Sequence, residues 1–263
     1  MPNPLSIPSG AACLLGISLP LLVISEHRSR SHIGTGIFKM LSSTAFLIIP
    51  VLSSTKPSPY HSLISTGLTF SLIGDFCLIP SRSDFYHSKT RTTAPKPRTP
   101  SLSFHLGILA FAAAHISYIA ALLHDSRETL WSMFIIAIVT MLAIAKWLGV
   151  VYPPSHASAR GNVLDLCIPE QMKPLVSMYA FIIGVMFAAA VSTAPLEFVT
   201  PWPYQRTLGA GMFVASDLFV AKDAFGRSCI PQARGWFRIA MGYGLYFWGQ
   251  AVIAGTICGQ YTD

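Results

Sequence analysis

The chain has 263 residues, of which 52% are hydrophobic and 11% charged, with a mean hydropathy of +0.53. Soluble domains carry about 25% charged residues, so the composition excludes an ordinary soluble domain and points to an all-α, polytopic membrane helix bundle. The formal net charge of +7 reads as basic loops beside a membrane rather than as a nucleic-acid surface.

A spanning helix needs about 17–25 largely apolar residues. Eight runs meet this, at 9–25, 34–53, 60–80, 102–123, 130–151, 172–194, 206–222 and 238–258. The opening decapeptide MPNPLSIPSG has no Lys or Arg, unlike the basic start of a cleaved signal peptide, so the first run reads as a retained helix. The spans form one transmembrane domain over 1–263. Its longest connectors, 81–101 and 152–171, are rich in Pro, Ser and charge and are expected to be mobile loops. The five cysteines, Cys13, Cys77, Cys167, Cys229 and Cys258, have neither disulfide-framework nor zinc-site spacing.

Charge supports the count. With eight spans, the connectors on one side hold Arg28, Arg30, Arg82, Lys89, Arg91, Lys96, Arg98, Arg160, Lys173, Lys222, Arg227, Arg234 and Arg238. The other side holds only Lys56, Arg127 and Arg206. The positive-inside rule makes the first side cytoplasmic and puts both termini outside or in a lumen. An endoplasmic reticulum location suits the basic loops and the lack of a signal peptide.

Against this apolar background, the ionisable residues within spans stand out, because a charge in hydrocarbon persists only in a protected interior. Asp75 and Asp217 each lie about five residues from the cytoplasmic end of their span, as does Lys39, or roughly 7–8 Å below the interface at 1.5 Å per residue. Tyr179 and Tyr246 lie slightly deeper, and His115, Tyr118 and Gln250 nearer the midplane. Six spans therefore contribute polar groups to one half of the bundle, which implies a polar cavity open to the cytoplasmic leaflet. Ser71 is one turn before Asp75, where its hydroxyl can donate to the carboxylate. Tyr243, Tyr246 and Gln250 share a helical face. Plainer roles compete: Lys39 as a snorkelling side chain, His115 as a packing residue, the tyrosines as interfacial aromatics, and Asp217 as the partner of Lys39 in a structural ion pair.

These pieces, in this order, resemble the YhhN family of eight-helix membrane proteins, which includes the transmembrane protein 86 lysoplasmalogenases. Lys39 opens the second span as the family's Lys does, although Met40 replaces its usual following Pro. GLTFSLIGDFCL (67–78) is similar to the family's Gly-Asp helix, and FHLGILAFAAAHISYIAAL (104–122) to its Ala-His-x-x-Tyr helix. LGAGMFVASDLFVAKDAF (208–225) is similar to its Ser-Asp helix, here Ser216 and Asp217, and YFWGQAVIAG (246–255) to its closing helix.

The resemblance implies hydrolysis of the vinyl ether bond of a lysophospholipid, a lysoplasmalogen, to a fatty aldehyde and glycerophospho-ethanolamine or -choline. Two carboxylates suit the chemistry, which needs a proton donor for the alkene carbon and an anion to stabilise the oxocarbenium ion, as in glycosidases. The first expectation is Asp75 as acid and Asp217 as stabiliser or base, with His115 or Tyr179 positioning water and Lys39 available to the phosphate. Ser71, Tyr118, Ser216, Tyr246 and Gln250 have supporting roles. Neither metal nor cofactor is expected. The alternative is a proton-coupled secondary transporter using the same aspartates.

Overall fold

In the computed structural model, residues 5–53, 58–82, 85, 101–126, 128–154, 160–194, 204–226 and 235–258 are described. Among them are eight α-helices and no strand: α1 (Ser9–Ile24), α2 (His32–Leu52), α3 (Pro59–Cys77), α4 (Leu102–Asp125), α5 (Trp131–Leu148), α6 (Lys173–Ser192), α7 (Gln205–Phe225) and α8 (Trp236–Gly255). Each lies within three residues of a run read from the sequence. Five helical segments are long and apolar enough to cross a membrane, those containing α1, α2, α4, α5 and α6. The remaining three helices, α3, α7 and α8, carry Asp75, Asp217 and the Tyr246/Gln250 face, whose polar groups dilute the apolar signal.

Local sequence sets the helix ends. Ser31, Ser58 and Ser101 each cap a helix by accepting from a backbone N–H three residues on, at 3.1, 3.1 and 3.2 Å. Pro59 sits in the first turn of α3, where a missing N–H costs nothing. Past α5, Gly149 takes the left-handed conformation, with φ +87°. Helix α1 runs into a single π-turn, Ser25–Ser29, that Arg30 ends with φ 48°.

The helices alternate in direction, and cross-links at each end show which termini meet. His32 Nε2 lies 2.8 Å from Pro80 O, and Arg238 pairs with Asp223. At the opposite end Arg206 pairs with Asp125, and the Tyr60 and Thr256 hydroxyls lie 2.6 Å apart. The first of these ends, where α2, α4, α6 and α8 begin, is the one with most of the Lys and Arg, and is called the basic end below.

Helix α8 packs against α1, α2, α3 and α7, and α4 packs against α3 and α6. Small residues bring the backbones together, as expected where lipid supplies no hydrophobic drive between helices. A Cβ on Gly67 would lie 2.3 Å from the Tyr118 ring and 3.0 Å from Ala114 O, so α3 and α4 touch closely. Gly209 and Gly249 do the same between α7 and α8, where a Cβ on either would approach the other's carbonyl oxygen within 3.3 Å.

Helix α5 is different. It packs on α6 and buries only Leu148, and Ile135, Ile136 and Val139 are about 60% exposed. It therefore stands at the bundle's edge with an apolar outer surface suited to lipid.

Most of the connector 81–101 lies outside the described residues, as do 155–159. From 160 onward the second connector makes contacts with the helices. Asn162 is fully buried; its amide donates to Leu166 O at 2.9 Å and its carbonyl accepts from Leu166 N at 2.8 Å. Cys167 N donates to Phe225 O, at the end of α7, at 2.7 Å. Leu166, Ile168, Met172 and Val176 form a small apolar core against Phe104, Ile108, Ala221 and Phe225. Several of its backbone groups find partners in the fold, and the apolar residues between them find a core.

Candidate active site

Three polar constellations, two of them buried and the third partly buried, occupy the basic half of the bundle. The first surrounds Asp75 on α3. Lys39 Nζ from α2 lies 3.3 Å from Asp75 Oδ1 and donates to the Asp75 backbone oxygen at 3.0 Å. Asp75 Oδ2 accepts from Ser43 Oγ at 2.8 Å and from Tyr246 OH at 2.7 Å. Asp75 is 2% exposed and Lys39 8%. The ammonium and the Tyr246 hydroxyl favour the anionic form of Asp75, while the single Ser43 proton is shared between Asp75 Oδ2 and Lys39 O at 3.1 Å.

The second lies one turn deeper. The Ser71 and Tyr118 hydroxyls are 3.2 Å apart, Tyr118 OH donates to Gln250 Oε1 at 2.7 Å, and Gln250 Nε2 donates to Ser71 Oγ at 3.0 Å. This closed triangle joins α3, α4 and α8, and each member is almost wholly buried. Ser71 therefore does not donate to Asp75, as its spacing suggested. It faces α4 and α8, and Ser43 and Tyr246 serve the carboxylate instead.

The third centres on Asp217 of α7. Tyr179 OH from α6 donates to Asp217 Oδ2 at 3.2 Å. The cavity that Asp217 lines also includes the apolar Phe213, Val214, Ala180 and Ile183. Lys39 is paired with Asp75, so the ion pair between Lys39 and Asp217 weighed from the sequence does not form. One hydroxyl and an apolar wall suit the neutral acid.

An aromatic layer connects the two aspartates. Tyr246 packs on Phe213 with centroids 5.3 Å apart, Phe213 on His115 at 4.5 Å, and His115 on Tyr179 at 5.7 Å. His115 is fully buried, and neither ring nitrogen has a hydrogen-bond partner among the described residues. Ser216 spends its hydroxyl on Phe213 O of its own helix at 2.7 Å and joins none of the constellations.

Both aspartates face one cavity of about 420 Å³, within the usual size range of small-molecule sites. Lys39, Asp75 and Tyr246 line it together with Tyr179 and Asp217, and the apolar Phe104, Ile108 and, from α5, Met141 and Ile144 line it as well. Glu26, Tyr243, Arg238 and Asp223 lie at its basic end. Among the described residues no group of three or more His, Cys, Asp or Glu side chains comes together as metal ligands.

Sequence reasoning missed Ser43, Glu26, Asp223 and Arg238. Ser43 could have been found, since it lies one turn after Lys39 on the same helical face. The other three looked like ordinary connector charges.

The fold and this cavity define a polytopic membrane helix bundle with one buried and one partly buried carboxylate facing a largely apolar chamber. The sequence profile of the YhhN family matches residues 35–257, and the chain belongs to that family. No curated protein and no solved structure is a match.

Proposed function

We propose that the protein is a lysoplasmalogenase-like ether hydrolase acting within the membrane. The observation that carries this reading is the unequal environment of Asp75 and Asp217 on one apolar cavity. Membership of the YhhN family is consistent with it.

The donor sets favour the reverse of the roles first expected from sequence. Asp217, with one hydroxyl partner in an apolar wall, is the proton donor. Asp75, favoured as the anion by Lys39 and Tyr246, is the stabiliser and base. The Asp217 proton moves to the alkene carbon distal to the ether oxygen, leaving an oxocarbenium ion and the Asp217 carboxylate. Water adds to that cation and gives up a proton to a carboxylate. The hemiacetal then splits into a fatty aldehyde and the glycerol hydroxyl, and one water is consumed. Two such carboxylates divide the labour as in glycosidases. The Tyr179 hydroxyl orients the acid, and the Ser71–Tyr118–Gln250 triangle fixes the helices behind it. Lys39 serves Asp75 rather than the substrate phosphate. His115, sealed among aromatic rings, is a packing residue in this scheme.

A single-chain lipid fits the chamber in kind: the apolar lining takes the chain, the carboxylates meet the ether, and the charged rim meets the headgroup. With the basic end cytoplasmic, the substrate comes from the cytoplasmic leaflet, an arrangement suited to the endoplasmic reticulum. The test is aldehyde release from lysoplasmenylethanolamine by purified protein in detergent. Aldehyde lost in Asp217→Asn protein of normal melting behaviour supports the hydrolase. No aldehyde from well-folded wild type across pH 5–8 overturns it and moves proton-coupled transport to the front.

A further inference from the structure

The charged groups at the basic end of the cavity are not needed for the proton transfers above. On α8, Arg238, Tyr243 and Tyr246 all face the chamber. At 1.5 Å per residue, Arg238 and Tyr246 are separated by about 12 Å along the axis. On α7, Asp217 and Asp223 are separated by about 9 Å. A polar column therefore leads outward from the carboxylates, while the rest of the wall is mostly apolar. Two contacts join its outer members among the described residues. Tyr243 OH donates to Glu26 Oε2 at 2.6 Å, and Arg238 Nη2 bridges to Asp223 Oδ1 at 2.5 Å. Both pairs tie α8 to a different element, the π-turn after α1 in one case and α7 in the other. They thus present charges of opposite sign at fixed positions around one opening.

We infer that this rim is a headgroup subsite that selects by charge, with Arg238 taking the phosphodiester and Glu26 a primary ammonium of a single-chain lipid. The inference rests on the cavity being a lipid site, as proposed above. Arginine offers five donors in a planar fork that matches a phosphate, so the bridge to Asp223 does not exhaust it. The Tyr243 hydroxyl holds the Glu26 carboxylate in place without removing its charge. A primary ammonium brings three N–H donors to the acceptors gathered here, Glu26, Asp223 and the Tyr243 oxygen. A trimethylammonium brings none and relies on aromatic faces instead. A phosphate monoester has no cation and meets the two carboxylates with like charge. The subsite therefore ranks ethanolamine above choline, and choline above a bare phosphate.

The test uses 1-O-alkyl lysolipids bearing ethanolamine, choline or a terminal phosphate, which lack the vinyl ether and are not cleaved. Their affinities for the full chain in nanodiscs are measured by calorimetry, beside Glu26→Gln, Tyr243→Phe and Arg238→Gln variants. Wild type is expected to bind the ethanolamine lipid about tenfold more tightly than the choline lipid, the scale of one charge-assisted contact. Glu26→Gln removes that margin, Tyr243→Phe reduces it, and Arg238→Gln weakens all three ligands together. Equal wild-type affinities, no binding of any ligand, or a margin kept in Glu26→Gln protein with wild-type melting overturns the subsite. The wild-type ranking decides the matter even if a variant fails to fold. Binding with the expected ranking but no aldehyde from the vinyl ether substrate leaves the subsite standing and removes the hydrolase reading.

Discussion

Replacing Asp75 by Asn keeps the side chain's shape and removes its charge, so two effects combine. The Lys39 ammonium loses the carboxylate 3.3 Å away and keeps the Asp75 backbone oxygen at 3.0 Å, while remaining 8% exposed. A buried charge stripped of its partner costs about 3–5 kcal/mol. At about 2–4 °C per kcal/mol for chains somewhat shorter than this one, the lower bound alone is a fall in Tm of roughly 6–12 °C. Lost turnover in this variant therefore does not by itself assign a chemical role. The double variant Lys39→Met, Asp75→Asn removes both charges and is expected to recover most of the Tm. Its aldehyde-releasing activity should stay at least about a hundredfold below wild type, the lower range for one acid–base group. The assay is a melting curve in detergent paired with aldehyde release on the same sample. A double variant as unstable as the single one would refute the ion-pair argument. A stable double variant with near-normal turnover would refute the role given to Asp75.

Three further outcomes follow from the same geometry. Tyr179→Phe removes the hydroxyl donor to Asp217 and should slow aldehyde release about tenfold while shifting stability by only about 1 kcal/mol, read as kcat beside Tm. Gly67→Ala drives a methyl into the Tyr118 ring and dislodges the Ser71–Tyr118–Gln250 triangle; overpacking costs about 1–3 kcal/mol, so the melting point should fall, whereas Gly10→Ala, with nothing within 4 Å, should leave it unchanged. Asn162→Ala leaves the Leu166 N–H and C=O without their side-chain partners, at about 1–3 kcal/mol each, and should raise the rate of limited proteolysis between α5 and α6.

Much of this protein was legible in the chain. Long apolar runs must become helices in lipid, because unpaired backbone groups have no partner there. Five of the helices follow from hydropathy, α3, α7 and α8 carry a weaker apolar signal, and Ser, Pro and Gly residues mark several of the ends. The rarity of charge in hydrocarbon singled out Asp75, Asp217 and Lys39 before any packing was known. What sequence leaves undecided is pairing. Ser71 and Asp75 share a face of α3, yet Ser71 turns to Tyr118 and Gln250, while Ser43 and Tyr246, 32 and 171 residues away from Asp75, reach its carboxylate. Lys39 is equally apolar-flanked whichever aspartate it meets, and only the contact of α2 with α3 gives it to Asp75. That choice gives Asp75, and not Asp217, the ammonium partner on which the proposed division of roles rests. The same holds for Glu26, Asp223 and Arg238, ordinary loop-edge charges in one dimension, which face a common cavity only once α1, α7 and α8 are assembled. Helix formation is a local response to the solvent, whereas charge state and site membership depend on neighbours far along the chain.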